Sequence, residues 1–177
     1  MPRYHTPKEY LDAARSPETS PEELRELATS PYNFVAIAVA QHPNTEPDVL
    51  AALLPATITS WNEQALAAAI AQHPRTPVEA LEILAERLAP VLDNGREHQI
   101  GFRAGVLLCC NPKTPFRAIA ALLRSEIAAT QFRKVVARET RRRDVLELLL
   151  HDRSETVKKR AQKSIEALDG EHEERLT

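Results

Sequence analysis

A chain of 177 residues, 43% of them apolar, holds one domain core or one short repeat array, and a net charge of −2 implies no global electrostatic partner. Its four glycines, Gly95, Gly101, Gly105 and Gly170, cannot be assembled into a phosphate-cradling loop, which removes the common nucleotide-binding folds. No apolar run approaches the roughly 18 residues that span a bilayer, and Met1 to His5 opens without the apolar core of a secretion signal, so the expectation is a soluble, cytoplasmic protein with no membrane partner.

From the start, Thr6-Pro7-Lys8-Glu9-Tyr10-Leu11 sets out a Thr-to-Leu frame, read here as half a repeat (6–15) that caps the array. Four Pro-x-Thr phrases follow: Pro17-Glu18-Thr19, Pro43-Asn44-Thr45, Pro74-Arg75-Thr76 and Pro112-Lys113-Thr114. Five residues after each Thr comes apolar-x-x-apolar-apolar, as in Leu24…Leu27-Ala28 and Ile119…Leu122-Leu123. A fifth copy, Leu146…Leu149-Leu150, lacks the proline. The aligned aliphatic positions 24, 50, 81, 119 and 146 are spaced by 26, 31, 38 and 27 residues. Repetition at this period predicts stacked helices, an all-α solenoid. The repeats run 16–42, 43–73, 74–111, 112–138 and 139–168, in a single array over 1–168 with a polar tail at 169–177.

Each unit holds two short helices. The first begins at the Thr or the residue after it; Thr76-Pro77-Val78-Glu79 reads as a capping box, and Ser20-Pro21-Glu22-Glu23 repeats it. The second covers 33–41, 62–72, 97–110, 129–138 and 154–168, and its Ala-rich faces suit a helix packed on several sides. Helices this short are marginal alone, so stacking must stabilise them. The insertions at 55–60 and 88–97 have loop character, with Asp93-Asn94-Gly95 as a turn, and are expected to carry partner-specific features.

These phrases resemble the variant leucine-rich repeat, whose frame is Asn-Pro-x-Thr-Pro followed by Leu-x-x-Leu-Ala. The segment from Pro17 to Pro31 is a near copy, Asn111-Pro112-Lys113-Thr114-Pro115 matches the opening, and Val157-Lys158-Lys159-Arg160-Ala161 matches the second half loosely. The resemblance covers about residues 6 to 165. It implies a right-handed superhelix in which some helices are 3₁₀, and it implies no activity. Some family members carry an iron–sulfur cysteine cluster; this chain has only Cys109 and Cys110, so no cofactor is expected.

Candidate sites are few. His42 and His73 stand at equivalent places, each before a proline, and suit either a metal or anion site or the capping of a helix C-terminus. Cys109-Cys110 reads as reduced core, and Gly101 and Gly105 share a helix face that permits close contact. Charge is uneven: residues 1–114 carry 9 basic and 14 acidic side chains, 115–163 carry 13 and 6, and 164–177 carry 1 and 5. Arg133, Lys134, Arg141, Arg142, Arg143, Lys158, Lys159 and Arg160 can form one positive ridge. The expected function is a non-catalytic scaffold for a protein partner, with Trp61 in its surface. The alternative is nucleic-acid binding through residues 133–160. A helical-repeat DNA glycosylase needs an aromatic–carboxylate constellation that Trp61 alone does not supply. No catalytic residue and no metal ligand set is expected.

Overall fold

The computed structural model describes residues 4–94, 100–125 and 128–174. Among them the regular structure is all helical: α1 (Pro7–Arg15), α2 (Pro21–Leu27), α3 (Asn33–Gln41), α4 (Pro47–Ala52), α5 (Trp61–Gln72), α6 (Val78–Leu88), a 3₁₀ helix (Ala89–Asn94), α7 (Ile100–Cys110), α8 (Phe116–Arg124), α9 (Thr130–Glu139), α10 (Arg143–Leu150) and α11 (Glu155–Glu174). The main contacts link neighbours in the chain or next neighbours. The odd-numbered helices touch in order from α1 to α11, and α6, α8 and α10 form a second row.

The aliphatic frame makes the core. Leu24, Leu50, Leu81, Ile119 and Leu146 are fully buried. Each such side chain contributes about 1.5–3 kcal/mol of burial, which offsets the marginal stability of helices one to three turns long. A small cluster joins Ala14, Leu24, Val35 and Val49, a larger one runs from Ala40 to Ile165, and Leu53 packs against both.

The repeated threonine does a different job from the one its sequence suggests. Thr76 was expected to cap α6; instead Pro77 is the N-cap, without a side-chain bond, and Thr76 is buried. Its hydroxyl turns back and donates to Ile70 O at 2.7 Å. Thr19, Thr45 and Thr114 do the same to Ala13, Val39 and Leu108, six residues back, at 2.5, 2.5 and 2.7 Å. Each of these carbonyls also accepts the amide of the residue that ends its helix, Ser16, His42, His73 or Asn111, at 3.0 to 3.3 Å, so the hydroxyl is a second donor that fastens the turn to the end of the preceding helix. Hence α2, α4, α6 and α8 start two residues after the Thr. Thr6 and Ser20 do cap their helices, accepting from Glu9 N and Glu23 N at 3.3 and 3.2 Å. Thr76→Val keeps the shape and removes the donor, so we expect a loss of about 1–2 kcal/mol, measured by urea unfolding. An unchanged midpoint would refute the role.

Two further differences from the sequence reading concern boundaries. The insertion at 88–97 is not simply a loop: Leu88 ends α6 and a 3₁₀ helix follows. The expected helix start at 97 and the Gly95 turn position lie outside the described residues. The acidic segment after 168 is not a frayed tail through Glu174, because α11 continues that far; charge pairs at Asp169 and Glu171 hold it against α10 and the turn before it.

Candidate functional site

One edge of the molecule collects the residues that follow α1, α3, α5, α7 and α9: Ser16, His42, His73, Asn111 and Thr140. The ring Nε2 of His42 lies 2.9 Å from Ser16 O, and that of His73 lies 3.0 Å from His42 O. Asn111 Nδ2 donates to Ala71 O at 2.8 Å, and Thr140 Oγ1 to Cys109 O at 3.4 Å. The amides of Asn44 and Arg75 donate to Nδ1 of His42 and His73, at 3.2 and 3.1 Å. A ring whose Nδ1 accepts carries a proton on Nε2, so both rings donate from Nε2 to the preceding turn. The two histidines thus serve the helix-end role set out above. Among the described residues no cluster of three His, Cys, Asp or Glu side chains is placed to hold a metal ion.

Burial, helped by the nearby charges of Arg75 and Lys113, holds His73 below the usual histidine value. Protonation would also set a Nδ1–H against the Arg75 N–H. The folded state therefore binds fewer protons than the unfolded chain, and stability falls as the pH drops below about 6.5. Asn111 does the same work without titrating, so His73→Asn should flatten this slope between neutral pH and about pH 5.5. Parallel urea-midpoint profiles for the two proteins would sink the assignment.

The strongest candidate for a recognition site is where the two insertions meet. Arg87 donates from NH1 to Pro55 O at 2.5 Å and ties the end of α6 to the first insertion. Ile58, Gln64, Arg87 and Val91 line a hollow of about 600 Å³ between them. The glycines of α7 make room for the second insertion. A Cβ at Gly101 would stand 2.8 Å from Val91 Cγ1, and one at Gly105 would stand 3.0 Å from Leu92 Cδ2. The first insertion is fastened by a capping box. Ser60 Oγ accepts from Glu63 N at 3.3 Å, and the Glu63 carboxylate accepts from the amides of Ser60 and Thr59 at 2.8 and 2.9 Å. These amide donors pull the Glu63 carboxyl down to about 2. The insertion at 55–60 is irregular, as the sequence reading has it, and the helix expected from residue 62 starts one residue earlier behind the Ser60-x-x-Glu63 box. Trp61, the residue that follows that insertion, is the first residue of α5 and is 68% exposed. Gln64, one turn further along the same helix, reaches the hollow wall.

No family model matches this chain, and neither a curated protein nor a solved structure was found similar to it.

The basic residues do not form the single ridge expected from sequence. Arg133 is buried in an ion pair with Asp152. Arg142 is mostly covered; it pairs with Asp144 and donates to the carbonyls of Asn111 and Thr114. Arg141 holds Glu171, Arg143 holds Glu147 and Asp169, and Lys158 holds Glu155. Lys134 and Arg160 are half-buried and Lys159 is exposed, and no carboxylate of the described residues pairs with these three. Glu171 and Asp169, which pair with Arg141 and Arg143, sit 30 and 26 residues away, too far for local pattern to show. Burial raises both cysteine thiols, that of Cys110 to about 11, which removes the thiolate that nucleophilic chemistry needs. Among the described residues no helix is long and apolar enough to cross a membrane.

Proposed function

We infer that the chain is a non-catalytic cytoplasmic scaffold: an α-solenoid of helix pairs of variant leucine-rich-repeat type, wound as a right-handed superhelix, that presents a surface to a protein partner. The main helix contacts, which run between neighbours and next neighbours, support the solenoid. The observation that carries the function is the convergence of both insertions on one hollow, with an exposed tryptophan on the helix that supplies Gln64 to its wall, one turn before that residue. Insertions in a repeat array fall on one face and carry recognition, and exposed tryptophans are over-represented among the residues that dominate binding energy.

Affinity capture from the native cell, with nuclease added to half the sample, tests the reading. Partners that survive nuclease support a protein scaffold; partners lost with it support nucleic acid. Trp61→Ala should weaken a captured partner by about 30-fold, the loss typical of a central aromatic anchor. Unchanged affinity would remove the hollow as the site. The nucleic-acid reading keeps Lys134, Lys159 and Arg160 as phosphate contacts, with the arginine run as their continuation. It predicts salt-sensitive retardation of a random duplex, abolished by reversing the charges of Arg141, Arg142 and Arg143.

A further inference from the structure

Helices α9 and α11 align by their first residues, Thr130 and Glu155, so that Arg133 and Ala137 correspond to Lys158 and Gln162. Helices α8 and α10 align in the same way, and Leu123 corresponds to Leu150. Leu123, Arg133 and Ala137 are buried, because α10, α11 and the turn between them lie over that surface. The covering pair supplies matched chemistry: Asp152 takes the Arg133 guanidinium, and Ser164 donates to Ala137 O at 2.7 Å. One repeat on, Leu150, Lys158 and Gln162 line an open groove of about 480 Å³, flanked by Lys159, Lys163 and Glu166. No described helix covers it. The seat is therefore repeated and the described chain leaves it empty.

We propose that this groove docks an acidic amphipathic helix of a partner protein, with an aliphatic residue against Leu150 and carboxylates toward Lys158, Lys159 and Lys163. This deepens the scaffold reading and rests on it. Two observations choose the occupant. The same seat one repeat earlier receives a helix pair and a carboxylate, Asp152, on the residue that corresponds to Lys158. The groove sets Lys158, Lys159 and Lys163 beside one lining glutamate, Glu166, and the Leu150 side chain; Lys158 also holds Glu155, so Lys159 and Lys163 carry most of the charge offered, and with an aliphatic contact between them this suits carboxylates on a hydrophobic helix better than bare phosphates. A phosphate track would continue through Arg141 and Arg143, and these already hold Glu171 and Asp169.

The probe is a synthetic helical peptide of about 18 residues, five turns long, with a leucine stripe flanked by glutamates. Its control replaces every Glu with Lys. Titrated into the ¹⁵N-labelled full chain, the acidic peptide should shift amides of α10 and α11, and the control should not. Lys158→Glu with Lys163→Glu should weaken binding about tenfold or more, as reversal of interface charge does. Leu150→Ser should weaken it too, with an unchanged circular dichroism spectrum. Shifts confined to other helices, equal binding of the control, or no binding overturns the proposal. So does a wild-type dimer in sedimentation that the charge reversals dissolve, which makes a second copy the occupant. Displacement of the peptide by a short duplex overturns it in favour of nucleic acid. Failure here alongside a nuclease-resistant captured partner removes only this groove; absence of such a partner removes the scaffold reading itself.

Discussion

Arg133→Met is expected to destabilise the protein by about 3–5 kcal/mol, the cost of leaving one half of a buried ion pair uncompensated. Arg133 Nε donates to Asp152 Oδ2 at 2.7 Å, NH2 to Oδ1 at 3.3 Å, and NH1 to Ala128 O. The pair is almost fully enclosed, with side-chain exposures of 1% and 6%. Methionine fills much of the arginine stem's volume but offers nothing to the carboxylate. Asp152 would retain the Ser154 N–H, at 2.8 Å, against its full charge. Adding Asp152→Asn removes the charge while keeping an acceptor for Ser154, so the double variant should recover part of the loss. Urea unfolding followed by circular dichroism reads both. A loss under about 1 kcal/mol for the single variant would show that water reaches the pair. Arg141→Met is the contrast: its pair with Glu171 is 70% and 43% exposed, and its removal should change stability by less than about 1 kcal/mol. Two arginines of the same basic segment thus separate into one that maintains the fold and one at the surface.

That separation marks the limit of what sequence could reveal. The aliphatic frame was legible because helix periodicity is local: Leu24, Leu50, Leu81, Ile119 and Leu146 were aligned by spacing and all are buried. The helix-end role of His42 and His73 was one of two readings open at the sequence level, since a residue before proline at a helix end has carbonyls near it whatever the tertiary structure. The threonine role was misassigned, because a hydroxyl beside proline serves equally as an N-cap or as a donor to the previous helix. Only the direction of the turn decides. Arg133 was misplaced for a different reason. Its partner Asp152 lies 19 residues on, in another repeat, and no local pattern couples the two. The convergence of the insertions on one hollow was invisible for the same reason, although Gly101 and Gly105 hinted at close contact without showing that Val91 and Leu92 make it.

Phe132→Ala should cost about 3–5 kcal/mol, the range for deleting a fully buried aromatic ring. The ring stands edge-on to Phe102 at a centroid distance of 5.5 Å and an interplanar angle of 83°, and Phe132 Cε2 lies 3.0 Å from where a Cβ at Gly105 would stand. The neighbouring glycine makes the effect testable beyond simple loss. In the native background Gly105→Ala sets a gain of about 1 kcal/mol in helix propensity against roughly 1–3 kcal/mol of overpacking on Leu92 and Phe132. Neither neighbour has room to retreat, since Leu92 is 2% and Phe132 0% exposed, so the net sign is destabilising. With Phe132 cut to alanine, the contact with its ring is gone and Leu92, the remaining close neighbour, gains vacated space to move into, so Gly105→Ala becomes less destabilising than in the native background. The cycle should therefore show a coupling of about 1 kcal/mol or more, outside the roughly 0.5 kcal/mol that independent sites give. Additivity would mean that α7 can shift away from α9. In that case α7 could not be the fixed support that holds Val91 and Leu92, and with them the wall of the hollow, in place.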